Sequence, residues 1–258
     1  MMNSTSRSGG TLHNLSVVMG VALVVATLFT AWTEPGLLPG SLAERFNSAL
    51  EPAAPPAFSN FPTQTARPLP HIGIVAGHSG YDPGAVCPPE LGGIREVDVN
   101  LDIAERVRNL LVADGYEVDL LTEFDPLLNG YRALALVSIH ADSCEYINAE
   151  AKGFKVAAAI STQYPERTQR LTSCLQTRYA AETGLKFHAG SVTADMTSYH
   201  AFSEIHPDTP AAIIEVGFLN LDREFLTKEP DKAALGVAKG ILCYVRNEDI
   251  TSPPSTQP

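Results

Sequence analysis

Between His71 and Arg246, short apolar runs rich in β-branched residues alternate with longer amphipathic segments, and three of the runs end on residues that can carry chemistry. His71 to Gly77 predicts a first strand, followed by the turn-rich Ser79-Gly80-Tyr81-Asp82-Pro83-Gly84. Glu96 to Ala113 places Val97, Leu101, Ala104, Val107 and Leu111 at helical spacing, with Asp114-Gly115 as the stop. Further strands are predicted over Tyr116 to Leu121, Ala133 to Ile139, Gly153 to Ile160 and Ala211 to Val216, with a short one over Tyr199 to Phe202. Pro165 to Thr183, closed by Gly184, and Pro230 to Arg246 predict two more helices. The first turns Leu171, Cys174, Leu175 and Tyr179 inward, the second Leu235, Ala238, Ile241, Leu242 and Val245. Strands alternating with helices imply an α/β fold: a mostly parallel twisted sheet of about six strands, helices on both faces, in a single catalytic domain.

In such sheets ligands sit beyond the carboxyl ends of the strands. The strings Ala76-Gly77-His78-Ser79-Gly80, Ser138-Ile139-His140-Ala141-Asp142 and Ile213-Ile214-Glu215-Val216-Gly217 would bring two imidazoles and a carboxylate to that rim, and Glu96 adds a second carboxylate. Taken singly, a histidine after a strand is usually structural, and an acidic residue in the first turn of a helix is explained by the helix dipole. Glu215 is more telling, because it interrupts an apolar run where a carboxylate is costly unless paired, metal-linked or used. Two histidines and one carboxylate can hold zinc with a position left for water, and the other carboxylate can act as base. The residues therefore point to a zinc hydrolase. His71 reads as a surface or edge residue and His188 as structural, while His200 and His206, flanking the short strand, could meet substrate.

The chain's surroundings can also be read. Leu15 to Trp32 contains no charged residue over eighteen positions and follows Arg7 and His13. It predicts a transmembrane signal anchor over 15–32 with residues 1–14 cytoplasmic, or alternatively a signal peptide cleaved near Val24-Val25-Ala26. Residues 33–70, with eight prolines between Pro35 and Pro70, read as a tether, residues 71–247 as the catalytic domain and 248–258 as a disordered tail. Either reading of the N-terminal segment exports the domain, leaving it extracytoplasmic, tethered to the membrane or secreted. A formal charge of −11 argues against nucleic acid as a partner. The chain is expected to be a monomer. Cys87 and Cys144 each lie a few residues beyond a candidate ligand histidine, so a bridge would join those two loops; independent small thiols are the alternative.

The order Gly77-His78-Ser79-Gly80 with Asp82-Pro83-Gly84-Ala85, Glu96 with Asn100-Leu101, Ser138-Ile139-His140-Ala141-Asp142, and Glu215-Val216-Gly217-Phe218-Leu219-Asn220 resembles the zinc-dependent N-acetylmuramoyl-L-alanine amidases of the cell-wall hydrolase type, over roughly His71 to Val245. The resemblance implies one zinc ion held by His78, Glu96 and His140. It implies Glu215 as the catalytic carboxylate, peptidoglycan as the partner, and cleavage between the lactyl group of N-acetylmuramic acid and L-alanine. Ser79 stands where the family usually has a second glycine. The stretch Thr122 to Tyr131 is short and carries Glu123 where a basic residue is common, which puts peptide-stem contacts there in question. The connection from Gly184 to Pro210 is too short to hold the long regulatory helix of some relatives, so an open site is expected. Two rival readings remain: a zinc peptidase acting on stem peptides, and a wall-binding protein without catalysis. The second would show substitution of a ligand or of the base, and all four residues are present.

Overall fold

The computed structural model describes residues 17–28 and 71–250. Residues 17–28 are helical, with the Thr27 hydroxyl donating to the carbonyls of Leu23 and Val24. Among the described residues no helix is long and apolar enough to cross a membrane. The rest of the expected 15–32 segment, the expected cytoplasmic N-terminus and tether, and residues 251–258 lie outside the described residues.

Residues 71–250 are built on five strands: β1 (His71–Ala76), β2 (Glu117–Leu121), β3 (Leu136–Asp142), β4 (Lys155–Ala158) and β5 (Ala211–Phe218). Their order is β2-β1-β3-β5-β4, parallel throughout except for β4, which pairs antiparallel with β5. Between and after them lie α1 (Glu96–Ala113), α2 (Pro165–Thr183), α3 (Ala194–Thr197), α4 (His200–Glu204), α5 (Arg223–Lys228) and α6 (Pro230–Val245).

Strand side chains alternate between faces, so each strand contributes to two cores. Ile72, Ile74, Val137, Ile139, Ala212, Ile214 and Val216 pack with Ile103, Val107 and Leu111 of α1, with Leu171, Leu175 and Tyr179 of α2 and with Val237 and Ile241 of α6. The intervening residues Val75, Leu136, Ala211 and Ile213 point the other way, to a smaller cluster with Leu128, Tyr131, Met196, Ala201 and Phe202. Helices thus cover both faces unequally: three long ones and the short α5 on one, two short ones on the other.

α2 begins with Pro165 and ends at Gly184 in the left-handed conformation (φ 71°), as its sequence predicts. The buried stripe of α6 is Ala233, Ala234, Val237, Ala238 and Ile241, rotated from the predicted one, and Leu235 and Leu242 lie outside it. The cause is Gly236 and Gly240, one turn apart. Cβ atoms there would fall 2.9 Å from Tyr179 Cδ2 and 2.7 Å from Leu175 Cα, so the glycines let α2 and α6 approach closely.

Two further expectations are corrected. Among the described residues there are five strands rather than six: residues 200–204 form the helix α4, where Ala201 and Phe202 are buried and His200 Nδ1 lies 2.8 Å from Glu204 Oε1 across one turn. His71 is buried at 5% exposure rather than a surface or edge residue, because β1 lies between β2 and β3. At the start of the expected tail, Arg178 donates to the Glu248 carboxylate and to the carbonyl of Asp249.

All four cysteines are paired. Cys87–Cys144 ties the loop after β1 to the loop after β3, and Cys174–Cys243 ties α2 to α6. Closing loops of this span in the unfolded chain contributes about 4 kcal/mol each on a chain-entropy account.

Candidate metal centre and active site

β1 ends at Ala76, and the chain turns through Gly77 and His78, the latter left-handed (φ 64°) without being glycine. That conformation is uncommon for a residue with a Cβ and persists where its surroundings fix it. The His78 amide donates to Glu123 Oε2 (2.7 Å), its Nδ1 lies 2.6 Å from Asp82 Oδ1, and its Nε2 lies 3.2 Å from Glu96 Oε1. Asp82 is itself fixed by the Gly84 amide at 2.7 Å. A carboxylate on one ring nitrogen sets the tautomer and leaves the other nitrogen free to ligate.

Glu96 is the first residue of α1, 6% exposed, where the helix dipole favours an anion. Its Oε2 accepts from the Ala85 amide (2.9 Å), and its Oε1 accepts from Asn100 Nδ2 (3.2 Å) one turn on and from the Ala141 amide (3.3 Å). Asn100, fully buried, also donates to the carbonyl of Gly77, so the helix and the His78 turn are joined through one side chain. Burial opposes ionisation of Glu96, but hydrogen bonds from His140, His78 and Ala85 outweigh it and hold the carboxyl well below the usual range. The same contact with Glu96 raises the His78 imidazole to about 9 against the effect of burial.

His140 lies on β3, on the face opposite Ile139. Its ring rests on Gly77, where a Cβ would come within 2.3 Å of His140 Cε1. Its Nδ1 is 3.3 Å from Glu96 Oε1.

Glu96 Oε1 therefore sits between two imidazole nitrogens, at 3.2 and 3.3 Å. A tetrahedral zinc site with bonds of about 2.0–2.1 Å has ligand edges of about 3.3 Å. The donor set, two nitrogens and one carboxylate oxygen, is one that zinc takes with a coordination position to spare. Among the described residues these three form the group able to hold a metal ion, with ligand atoms within 4.8 Å of one another. The residues present fit zinc.

Glu215 is the β5 register partner of His140, and on its other side the partner of Lys155 on β4. All three project from the same face. Burial raises the Glu215 carboxyl to about 7; Asp142 and Glu96 add to this, and His140 and Lys155 oppose it. Glu215 Oε2 is buried with no hydrogen-bond partner. A carboxyl poised near neutrality beside a metal-ligand set is equipped to take and return a proton.

His200 lies 3.0 Å from Glu123 Oε1, at the site's edge. His206 lies elsewhere, against Arg132 and Asp208, and His188 hydrogen-bonds to Ser191. Sequence reading missed one site residue, Lys155, and noted another, Glu123, only as a departure from the family resemblance. Lys155 is buried and paired with Asp142, and Glu123 is buried between the two histidine-bearing segments. Each sits among neighbours from other strands, so local pattern carries no signal of its surroundings. The i,i+4 spacing of His200 and Glu204 was the clue to α4.

The geometry can be set beside known proteins. The chain is 34% identical over 114 residues to the N-acetylmuramoyl-L-alanine amidase AmiC of Neisseria meningitidis serogroup B, covering 39% of this chain and 27% of that protein. It is 36% identical over 80 residues to a putative N-acetylmuramoyl-L-alanine amidase of Buchnera aphidicola, covering 27% of this chain and 32% of that protein. The matched part thus spans about a third or less of these relatives. The fold resembles that of the amidase AmiC2 of Nostoc punctiforme, with a TM-score of 0.52 at 23% identity, covering 69% of this chain and 97% of that one. It also resembles the CwlD amidase of Clostridioides difficile, solved with the GerS lipoprotein, with a TM-score of 0.55 at 21% identity, covering 70% and 100%. The family model described as N-acetylmuramoyl-L-alanine amidase matches residues 72–243. With its sheet and this match, the chain belongs to the N-acetylmuramoyl-L-alanine amidase family.

Proposed function

We propose that this chain hydrolyses the amide between the lactyl group of N-acetylmuramic acid and L-alanine in peptidoglycan, using zinc held by His78, Glu96 and His140. The observation that supports the reading is the register of Glu215 with His140, together with a Glu215 carboxyl raised to about 7. Zinc bound there would polarise the amide carbonyl and make water a nucleophile near neutral pH.

The protein's own groups do the rest. Glu96, anchored by Ala85, Asn100 and Ala141, holds its oxygen between the imidazoles without rearrangement. Asp82 fixes the His78 ring through Nδ1. Glu215 Oε2, with no other partner, accepts the proton of the attacking water and passes it to the departing L-alanine nitrogen. The 184–210 connection carries only short helical turns, which supports a site open without an activator. We place the domain outside the cytoplasm, with residues 15–32 as the export segment, retained or cleaved. Two disulfides suit an oxidising compartment.

Mass spectrometry of sacculi digested by the full chain, with and without chelator, tests this. Intact stem peptides with a free L-alanine amine, lost on chelation, are expected. Cuts within the stem would transfer the site to the peptidase reading.

A further inference from the structure

The mechanism above leaves one buried carboxylate of the site unused. Glu123, 6% exposed, follows β2 and reaches under the His78 turn. Its backbone amide donates to the Ser79 carbonyl (3.0 Å), and its Oε2 accepts from the His78 amide (2.7 Å). Its Oε1 lies 3.0 Å from His200 Nε2, whose other nitrogen is 2.8 Å from Glu204 Oε1. Phe124 stacks on His200 at 4.1 Å and closes this side. Oε2 also faces His140 Nε2 at 3.9 Å, too far for a direct hydrogen bond. That nitrogen is buried and has no hydrogen-bond partner, while its companion Nδ1 faces Glu96.

We infer that Glu123 is a positioning residue of the metal centre: it pins the left-handed His78 turn and sets a negative charge behind His140, presenting both imidazoles to Glu96 with the ligating nitrogens forward. The inference rests on the zinc reading of the site. Glu123 holds this turn at two adjacent points, its carboxylate accepting from the His78 amide and its own amide donating to the Ser79 carbonyl, where the left-handed His78 needs support from its surroundings. Behind His140 the carboxylate favours the tautomer with the proton on Nε2, leaving Nδ1 as the donor atom. His200, held by Glu204, keeps the Glu123 carboxylate from turning away. The residue that departs from the family resemblance on this side thus faces inward, toward the metal site.

Zinc affinity of the full chain, measured by competition with a chromophoric chelator, tests it in the absence of substrate. Glu123→Gln keeps an acceptor for the His78 amide but removes the charge. It is expected to weaken zinc by about 10–100-fold, with the melting midpoint of the metal-free protein close to wild type. An affinity within about twofold of wild type overturns the inference, since a purely structural role would leave it there. In zinc-loaded wild-type protein with ¹⁵N-labelled histidine, His140 Nε2 is expected to carry a slowly exchanging proton that NMR detects. An unprotonated Nε2 overturns the inference even if the variant fails to fold. Wild-type protein that takes up no zinc overturns the zinc reading and this inference together; normal wild-type uptake with an unaffected Glu123→Gln overturns this one alone.

Discussion

On one face of the sheet, Ile72, Ile74, Val137, Ile139, Ala212 and Ile214 meet three long helices with hydrocarbon alone. On the other, the same strands present Ser138, His140, Glu215 and Lys155 among smaller elements, with α3 and α4 as cover. His140 and Ile139 are neighbours in sequence and point in opposite directions, one toward the ligand set and one into the core. The comparison teaches how a single strand can be both scaffold and instrument. Packing on the helical face fixes the backbone of β3 and β5, and that fixed register sets His140 beside Glu215. The second face carries a smaller core and, beside it, an unpartnered carboxylate oxygen and a left-handed histidine.

The largest effect should come from the polar face. His140→Ala, and equally His78→Ala, is expected to lower zinc affinity by about 100-fold or more and to abolish amide hydrolysis, measured by metal content and sacculus digestion. The protein should still fold, because neither ring belongs to the main hydrophobic core. Global unfolding on either substitution would break the division between the faces.

Next, Ile139→Ala, one residue from His140 and fully buried, should cost about 2–5 kcal/mol of stability in a urea titration. Zinc affinity of the folded fraction should stay within about threefold of wild type, because no ligand contact is removed. A larger loss would mean that the two faces are coupled more tightly than their separate cores suggest.

A smaller, pH-dependent effect sharpens the polar side. In metal-free protein, Glu215 holds its proton up to about 7, whereas in the unfolded chain it releases it near 4.5. Between these values the folded state binds more protons, so this group's contribution falls as pH rises and then levels off above about 7. Glu215→Gln should therefore match wild type near pH 4 and exceed it by about 3 kcal/mol near pH 8. Equal differences at the two pH values would contradict the burial of this carboxyl.

Much of the helical face was legible because its signal is periodic. The apolar runs marked β1, β3 and β5, and Pro165 with Gly184 marked the ends of α2. Glu215 announced itself by interrupting a run, and the ordered motifs supplied the candidate ligands that the structure brings together. The inner stripe of α6 was not legible, since Gly236 and Gly240 carry no hydrophobic signal yet decide which side meets α2. Tyr199 to Phe202 favours a strand by composition, but one helical turn buries Ala201 and Phe202 and pairs His200 with Glu204. Glu123 and Lys155 acquire meaning through neighbours far away in sequence: His78 and His140 for one, Asp142 and Glu215 for the other.

The account turns on the separation of roles within one site: three ligands and one base. Measuring zinc per chain and turnover on sacculi for Glu215→Ala tests it most directly. One zinc per chain with turnover lowered by about 10³-fold is expected. Turnover near the wild-type rate, or loss of the zinc along with the activity, would contradict it.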